Sequence, residues 1–230
     1  MNLRSVLWRL RQAAYEKMGN PKYSRPALYE LDEKLGKYLN FRDGFFIEAG
    51  ANDGFSQSNT YYLEKFLGWR GIMVEGIPQL YAKAKKRRPH SQVFNCALVP
   101  FGHENTEIEM VYGNLMSVVT GAQKSAAEEA EHIESAKQFD PAAGSFKVKV
   151  PGRTLSSILD ECGVAKIDFL SLDVEGFEAP VLSGIDFERY RPTYLCIEAR
   201  YREDIEKVIA PYYDAVEELT GMDVLYKSRT

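Results

Sequence analysis

Five short apolar runs punctuate the chain and decide its class. They are FFIEAG (45–50), GIMVEG (71–76), QVFNCALV (92–99), IDFLSLDVEG (167–176) and TYLCIEA (193–199). Runs this short, flanked by glycine or charge, read as strands buried on both faces. Between them, 58–68, 80–88, 154–162, 177–183 and 202–210 carry helical patterns. Strands alternating with helices predict an α/β fold, a mostly parallel sheet with helices on both faces. The tail departs from this. AVEEL and MDVLYK alternate with period two around Gly221, which predicts a C-terminal antiparallel hairpin.

Two leucine-rich stripes precede the first strand. Leu3, Val6, Leu7, Leu10 and Ala14 predict a helix over 3–18, and Leu28, Leu31, Leu35 and Leu39 predict a second over 27–39. We therefore divide the chain into an N-terminal helical extension, 1–36, and a single domain, 37–230. One stretch breaks the alternation. Residues 121–145, rich in Ala and Glu, separate the β-prone TEIEMVYG (106–113) and FKVKVPG (146–152). They read as a helical insert, either a lid over a site or a solvated surface helix.

The chain has 230 residues, which suits one domain. Its net charge of −4 has the wrong sign for a nucleic-acid binder, so no nucleic-acid partner is expected. No apolar run approaches the ~18 residues of a membrane span. Arg4, Arg9 and Arg11 interrupt the first apolar stretch, and no small-residue cleavage site follows, so it does not read as a signal peptide. Cys96, Cys162 and Cys196 form no metal spacing. An odd number of separated cysteines predicts reduced thiols and a cytoplasmic chain. The first 25 residues hold six Lys or Arg against the single acid Glu16. A basic amphipathic helix of this kind either rests on an anionic membrane, a peripheral contact, or packs on the core or in an oligomer. The basic run Lys83, Lys85, Lys86, Arg87, Arg88 reads as a solvated helix face.

In parallel α/β sheets ligands bind beyond the carboxyl ends of the strands, so strand ends are where chemistry is sought. The first strand ends in Glu48-Ala49-Gly50-Ala51-Asn52-Asp53-Gly54. Gly50 and Gly54 allow a tight turn close to a ligand. The spacing is G-x-x-x-G; the dinucleotide G-x-G-x-x-G, the phosphate-binding Gly-Lys-Ser/Thr and the hydrolase G-x-S-x-G do not occur. The second strand ends in Glu75, whose carboxylate can accept both hydroxyls of a ribose. A glycine turn with a second-strand acid specifies an adenosine-type ligand, without choosing between a nicotinamide and S-adenosylmethionine. Asp173, Glu175 and Glu198 then crowd later strand ends. Their repulsion should raise a pKa or draw in a cation, which suits a general base, a sulfonium clamp or a divalent metal site. His90, His103 and His132 belong to none of these ends.

Taken in order, FFIEAGANDGFSQSNT, GIMVEGIP, NCALVPF, RTLSSIL and IDFLSLDVEGFEAPVLSGIDF resemble the FkbM-type S-adenosylmethionine-dependent methyltransferases, from about residue 37 to 199. The resemblance implies a seven-stranded Rossmann-like sheet with a reversed terminal hairpin. It implies O-methylation, often of sugar hydroxyls in glycans, lipopolysaccharides or natural products. It also implies roles. Glu48, Gly50, Asn52, Asp53 and Gly54 would line the methionine end of the cofactor. Free N–H groups at Ser58 and Asn59 would hold its carboxylate, Glu75 would take the ribose, and Cys96 and Ala97 would flank the adenine. Asp173 and Glu175 would face the methyl group, with Asp173 the first choice of base. Asn114, Ser117 and Glu198 would meet a carbohydrate acceptor, while Asp173, Glu175 and Glu198 leave a divalent metal open without predicting one. Ser171 stands where many relatives carry lysine, a departure that bears on the base.

Two other classes compete. A NAD-type oxidoreductase would want a third glycine and a Tyr-x-x-x-Lys pair. Tyr81 and Lys85 have that spacing, but on the helix after the second strand, the wrong place. A non-catalytic adenosine-ligand-binding scaffold in glycan assembly would have no need of three strand-end acids.

Overall fold

The apolar runs become strands that share one edge. In this computed structural model, which describes residues 3–104, 106–112, 118–119, 128 and 146–229, they are β1 (Phe45–Ala49), β2 (Arg70–Val74), β3 (Ser91–Phe94), β8 (Phe169–Leu172) and β9 (Tyr194–Glu198). With β10 (Tyr213–Glu218) and β11 (Asp223–Ser228) they form a seven-stranded sheet in the order β10-β11-β9-β8-β1-β2-β3. β3, β2, β1, β8 and β9 run parallel, and β11 is antiparallel to both β9 and β10, as the alternation around Gly221 predicts. The register aligns Ala49 with Val74 and with Leu172, and Leu172 with Ile197. The loops carrying Gly50, Glu75, Asp173 and Glu198 therefore leave the sheet along one edge.

Successive strand side chains point to opposite faces, so each run feeds two cores. Ile47, Ile72, Leu170, Leu172 and Leu195 pack under α5 (Leu155–Cys162), α6 (Glu178–Leu182) and α7 (Arg202–Ile209), against Leu159, Leu182 and Ile205. Phe46, Met73, Phe169 and Cys196 pack on the other face against α2 (Leu31–Leu35) and α3 (Tyr61–Leu67), through Leu31, Leu35, Leu63 and Trp69. The period-two burial of residues all apolar in sequence is the reason the runs show no alternation.

Two elements differ from their sequence pattern. The stripe over 27–39 is a 3-10 turn (Leu28–Glu30) followed by the short α2, because Tyr29 and Glu30 adopt left-handed φ values of 52° and 60°. Leu31, Leu35 and Leu39 keep their buried positions, whereas Leu28 is exposed. QVFNCALV breaks in two. The Asn95 side-chain amide donates to the carbonyls of Glu75 (2.8 Å) and Gly76 (2.7 Å), and the chain turns off the main sheet there. Its second half is β4 (Ala97–Leu98), which pairs with β7 (Phe146–Arg153) in a smaller sheet of order β4-β7-β5-β6, with β5 (Glu107–Tyr112) and β6 (Val118–Val119). The β-prone pieces on either side of 121–145 pair antiparallel from Glu107–Pro151 to Tyr112–Phe146. The predicted insert lies outside the described residues, Glu128 apart.

Two helices complete the order, α1 (Leu3–Lys17) and α4 (Pro78–Arg87). Among the described residues no helix is long and apolar enough to cross a membrane.

Candidate active site

Glu48 ends β1 with a carboxylate that is almost wholly buried. A buried charge needs compensation, and the loop through Thr60, together with Arg88, supplies it. Ser58 Oγ (2.9 Å), the Asn59 amide (3.0 Å) and Thr60 Oγ1 (2.9 Å) donate to it, and the Arg88 guanidinium stands 3.5 Å away. Arg88, 1% exposed, donates five hydrogen bonds: to Glu64 (2.8 Å), the Gly54 carbonyl (3.3 Å), Ser58 Oγ (3.2 Å), and the Thr60 carbonyl (3.3 Å) and hydroxyl (2.9 Å). This corrects the reading of the basic run as one solvated face. Its last residue is an internal counter-ion, recruited because Glu48 and Glu64 are both buried.

The predicted free amides at 58 and 59 are engaged. Ser58 N–H donates to the Phe55 carbonyl (3.0 Å) and Asn59 N–H to Glu48, and α3 starts later, at Tyr61. Asp53 also turns inward. Its carboxylate accepts from the amides of Phe55 (3.0 Å) and Ser56 (2.8 Å) and pairs with Arg87 at 2.6 Å. Burial raises its pKa, but those two amides and Arg87 outweigh burial and hold it below the usual carboxylate range. Asp53 braces the loop rather than walling the cleft. Gly50 has φ +83°, and a Cβ there would overlap the Asp173 carbonyl oxygen. The first loop and the loop after β8 thus touch through a position that only glycine fits.

Glu75 accepts from the Asn52 amide (2.8 Å) and the Ile77 amide (2.7 Å), one bond on each oxygen. Each oxygen retains a lone pair at the cleft. Burial pushes its pKa up to about 7, against the partial pull of the two amides. Beyond Glu75 the cleft is an apolar slot of Leu80, Cys96, Ala97 and Leu98, closed by Met110 and Val119 from the small sheet. Gly76 lacks a side chain where the Met110 sulfur lies. Leu80, Met110 and Val119 escaped the sequence reading. TEIEMVYG is legible as a strand, but which of its faces meets a ligand is set by a sheet that the reading did not contain.

The other end of the cleft is acidic. Asp173, Val174 and Glu175 line it, beside Ser171, whose hydroxyl accepts from the Asn59 side chain (3.0 Å). Asp173 is open to the cleft yet ringed by protein; that partial desolvation, then the charges of Glu198, Glu175 and Glu178, raises its pKa above the ordinary value. Burial and Glu198 push Glu175 to about 8, and burial pushes Glu198 to about 7. The repulsion expected of three strand-end acids is present. Its counter-charge is a side chain absent from the sequence reading: Arg200 lies 3.1 Å from Glu175 and 3.9 Å from Glu198. Among the described residues no group of three or more His, Cys, Asp or Glu is arranged to hold a metal ion. Glu178, also unforeseen, accepts from the amides of Val174 (3.1 Å) and Gly176 (3.0 Å) and so fixes the acidic loop.

Asp173, Asn59 and Gln57 also line a second lobe, with Glu198, Leu28, Tyr29, Lys34, Thr220 and Met222. Segment 28–34 and the β10–β11 turn thus reach the site from opposite ends of the chain. Asn114 and Ser117 lie outside the described residues.

The residues present fit an adenosine bearing an amino-acid arm. A buried carboxylate offers spare lone pairs, an apolar slot follows it, and a polar, glycine-closed end faces it. The methyltransferase FkbM domain model matches residues 48–222. Solved structures with a partial likeness include a TehB-like SAM-dependent methyltransferase from Corynebacterium glutamicum (12% identity, 98% of each chain covered, TM-score 0.45). An RNA methyltransferase from Salinibacter ruber in complex with S-adenosyl-L-homocysteine shares 12% identity over 88% of this chain and 92% of its own, with TM-score 0.41. Aeropyrum pernix fibrillarin with natively bound S-adenosyl-L-methionine shares 11% over 90% and 76%, with TM-score 0.46. No curated protein matches the chain. The matched stretch contains the Gly50 loop, Glu75, Asp173 and Glu198, and the chain belongs to the FkbM family of S-adenosylmethionine-dependent methyltransferases.

Proposed function

We propose that the protein transfers the methyl group of S-adenosylmethionine to a hydroxyl of a sugar in a glycan, polysaccharide or related glycoconjugate. The observation that carries this reading is the cluster of carboxyls with raised pKa values where the cleft meets the second lobe. A sugar hydroxyl is a weak nucleophile, and a base that titrates near neutral pH is suited to take its proton. The lobe adds groups that match a sugar. Tyr29 offers an aromatic surface for the ring's C–H face, and Gln57, Asn59 and Thr220 offer amides and a hydroxyl for its polar edge.

The chain's own residues divide the work. Glu75 accepts the ribose hydroxyls on its spare lone pairs, and Leu80, Ala97 and Met110 bracket the adenine. Glu48 and Arg88 act one layer back by holding the loop in place. When bound, the cofactor supplies a methyl group already activated by positive sulfur. Asp173, on the wall common to cleft and lobe, accepts the hydroxyl proton, with Glu175 as the second choice. Arg200 keeps the neighbouring acids close to their ionisation point. Much of the rate then comes from alignment of the acceptor oxygen with the methyl carbon, with reacting atoms ~3–3.5 Å apart. In this reading residues 37–230 form the catalytic domain and the extension contributes the acceptor wall at 28–34. Three free cysteines suit a reducing, cytoplasmic setting.

Calorimetric titration with S-adenosylmethionine tests the cofactor half. Glu75→Ala should weaken binding by a hundredfold or so (~3 kcal/mol). Mass spectrometry of a glycan panel incubated with enzyme and cofactor tests the other half. A methyl ether on a sugar is the expected product, and transfer confined to nitrogen or carbon acceptors would remove the sugar-hydroxyl reading.

A further inference from the structure

α1 is fixed to the domain by one face. Glu16 accepts from Tyr61 Oη (2.8 Å), Ser24 Oγ (2.7 Å) and the Gln12 amide (3.0 Å), and its second oxygen pairs with Lys65 at 3.1 Å. The Trp8 ring meets Phe55 edge-on at 5.4 Å. At 3.6 residues per turn, Trp8, Gln12 and Glu16 share this side. Leu7, Leu10 and Ala14 fall on the opposite side, where Leu7 and Leu10 are 58% and 63% exposed. Arg11 and Lys17, both exposed, border that stripe on its two edges. Six cations stand in the first 25 residues of a chain whose total is −4, and the single acid among them, Glu16, is turned inward and neutralised.

We propose that the outward face of α1 is a docking surface for an anionic lipid bilayer, with the helix in the headgroup plane and Leu7 and Leu10 at the acyl boundary. An apolar stripe edged by an arginine and a lysine has the form of an interfacial helix. Charge selects this occupant over a second copy of the chain. Most homodimers are two-fold, and a two-fold contact here would press this cation-rich segment against its own image. A bilayer bearing negative headgroups meets the same face with attraction. The docked helix is one side chain from the cofactor loop, because Phe55 precedes the cleft residues Ser56 and Gln57.

The inference does not depend on methyl transfer, and its test reads binding alone. The full chain is sedimented with vesicles of phosphatidylcholine containing phosphatidylglycerol, and with phosphatidylcholine alone, at low and high salt. We expect partition onto the anionic vesicles at least about tenfold above the neutral ones, falling as salt screens the basic side chains. Leu7→Ser with Leu10→Ser should lower it by about tenfold or more, since both side chains lose their burial. Arg11→Gln with Lys17→Gln should lower it on anionic vesicles and flatten the salt dependence. Retained S-adenosylmethionine binding by each variant reports an intact domain. Absence of wild-type binding to anionic vesicles overturns the proposal, as does binding that all four substitutions leave unchanged. A dimer that the leucine variants split, without any vesicle partition, overturns it in favour of self-association.

Discussion

The two ends of the cleft are built by opposite means. Around the loop after β1, Arg88 donates to Glu64 at 2.8 Å and pairs with Glu48 at 3.5 Å, while Ser58 donates to Glu48 at 2.9 Å. Around Asp173, desolvation and the charges of Glu198, Glu175 and Glu178 raise its pKa, and the nearby cation, Arg200, reaches Glu175 more closely than Glu198. Among the described residues Glu198 Oε2 is buried without a hydrogen-bond partner. A satisfied network holds one geometry and resists protonation changes. An under-compensated cluster changes protonation easily. The first suits a ligand that is the same in every turnover, and the second suits a proton that must move.

This contrast can be broken at three points. The largest effect is expected from Arg88→Met. It leaves two buried carboxylates uncompensated and should cost about 3–5 kcal/mol, a fall of roughly 10 °C in the thermal midpoint for a chain of this size. An unchanged midpoint would mean that the cofactor end is not held by its network. Next is Gly50→Ala. The strained left-handed backbone and the overlap with the Asp173 carbonyl together should cost about 3 kcal/mol. Because one contact joins both ends, cofactor affinity and turnover should fall together. Loss of one without the other would separate them.

The smallest effect is the most informative about the acidic end. Burial and repulsion raise Glu175 and Glu198, while Arg200 favours their charged forms. Asp173, Glu175 and Glu198 titrate as one coupled cluster that must lose a proton before Asp173 can accept one, so kcat/KM should rise with pH through about 7 to 8, where Glu198 and Glu175 ionise. Arg200→Gln removes the attraction, raises both values further and should move that rise upward by about one pH unit. A profile that keeps its midpoint would exclude Arg200 from setting the ionisation. The same shifts bear on stability. A buried acid with a raised pKa holds its proton more tightly folded than unfolded, so the protein binds more protons when native. The stability these groups contribute should be full below pH 4.5 and be lost as pH rises through about 7 to 8, where Glu75, Glu198 and Glu175 ionise in the folded state.

The sequence carried the sheet and the cofactor end because both are written locally. The positions of FFIEAG and GIMVEG decide where Gly50 and Glu75 emerge, and strand register does the rest. Arg88 was misread because its neighbours Lys83, Lys85 and Lys86 advertise a charged helix, and nothing local tells that this residue faces two buried acids. Met110 and Val119 were missed for want of the small sheet. Tyr29 was hidden by a leucine stripe that continues through it, although its backbone leaves the helical region. Backbone strain of that kind tends to collect at functional sites, and here it stands at the wall of the second lobe.

That wall has a consequence for how such a protein diversifies. The Lys34 ammonium donates to the Leu219 carbonyl at 2.9 Å, clasping segment 28–34 to the turn between the last two strands. Neither piece belongs to the strand ends that bracket Glu75. Exchange of 28–34 and 219–223 between relatives, as a matched pair, is therefore a graft that rewrites the acceptor lobe and leaves the cofactor machinery as inherited. Exchange of 28–34 for a piece without Lys34 would break the clasp, so the two segments, though far apart in the chain, behave as a single cassette.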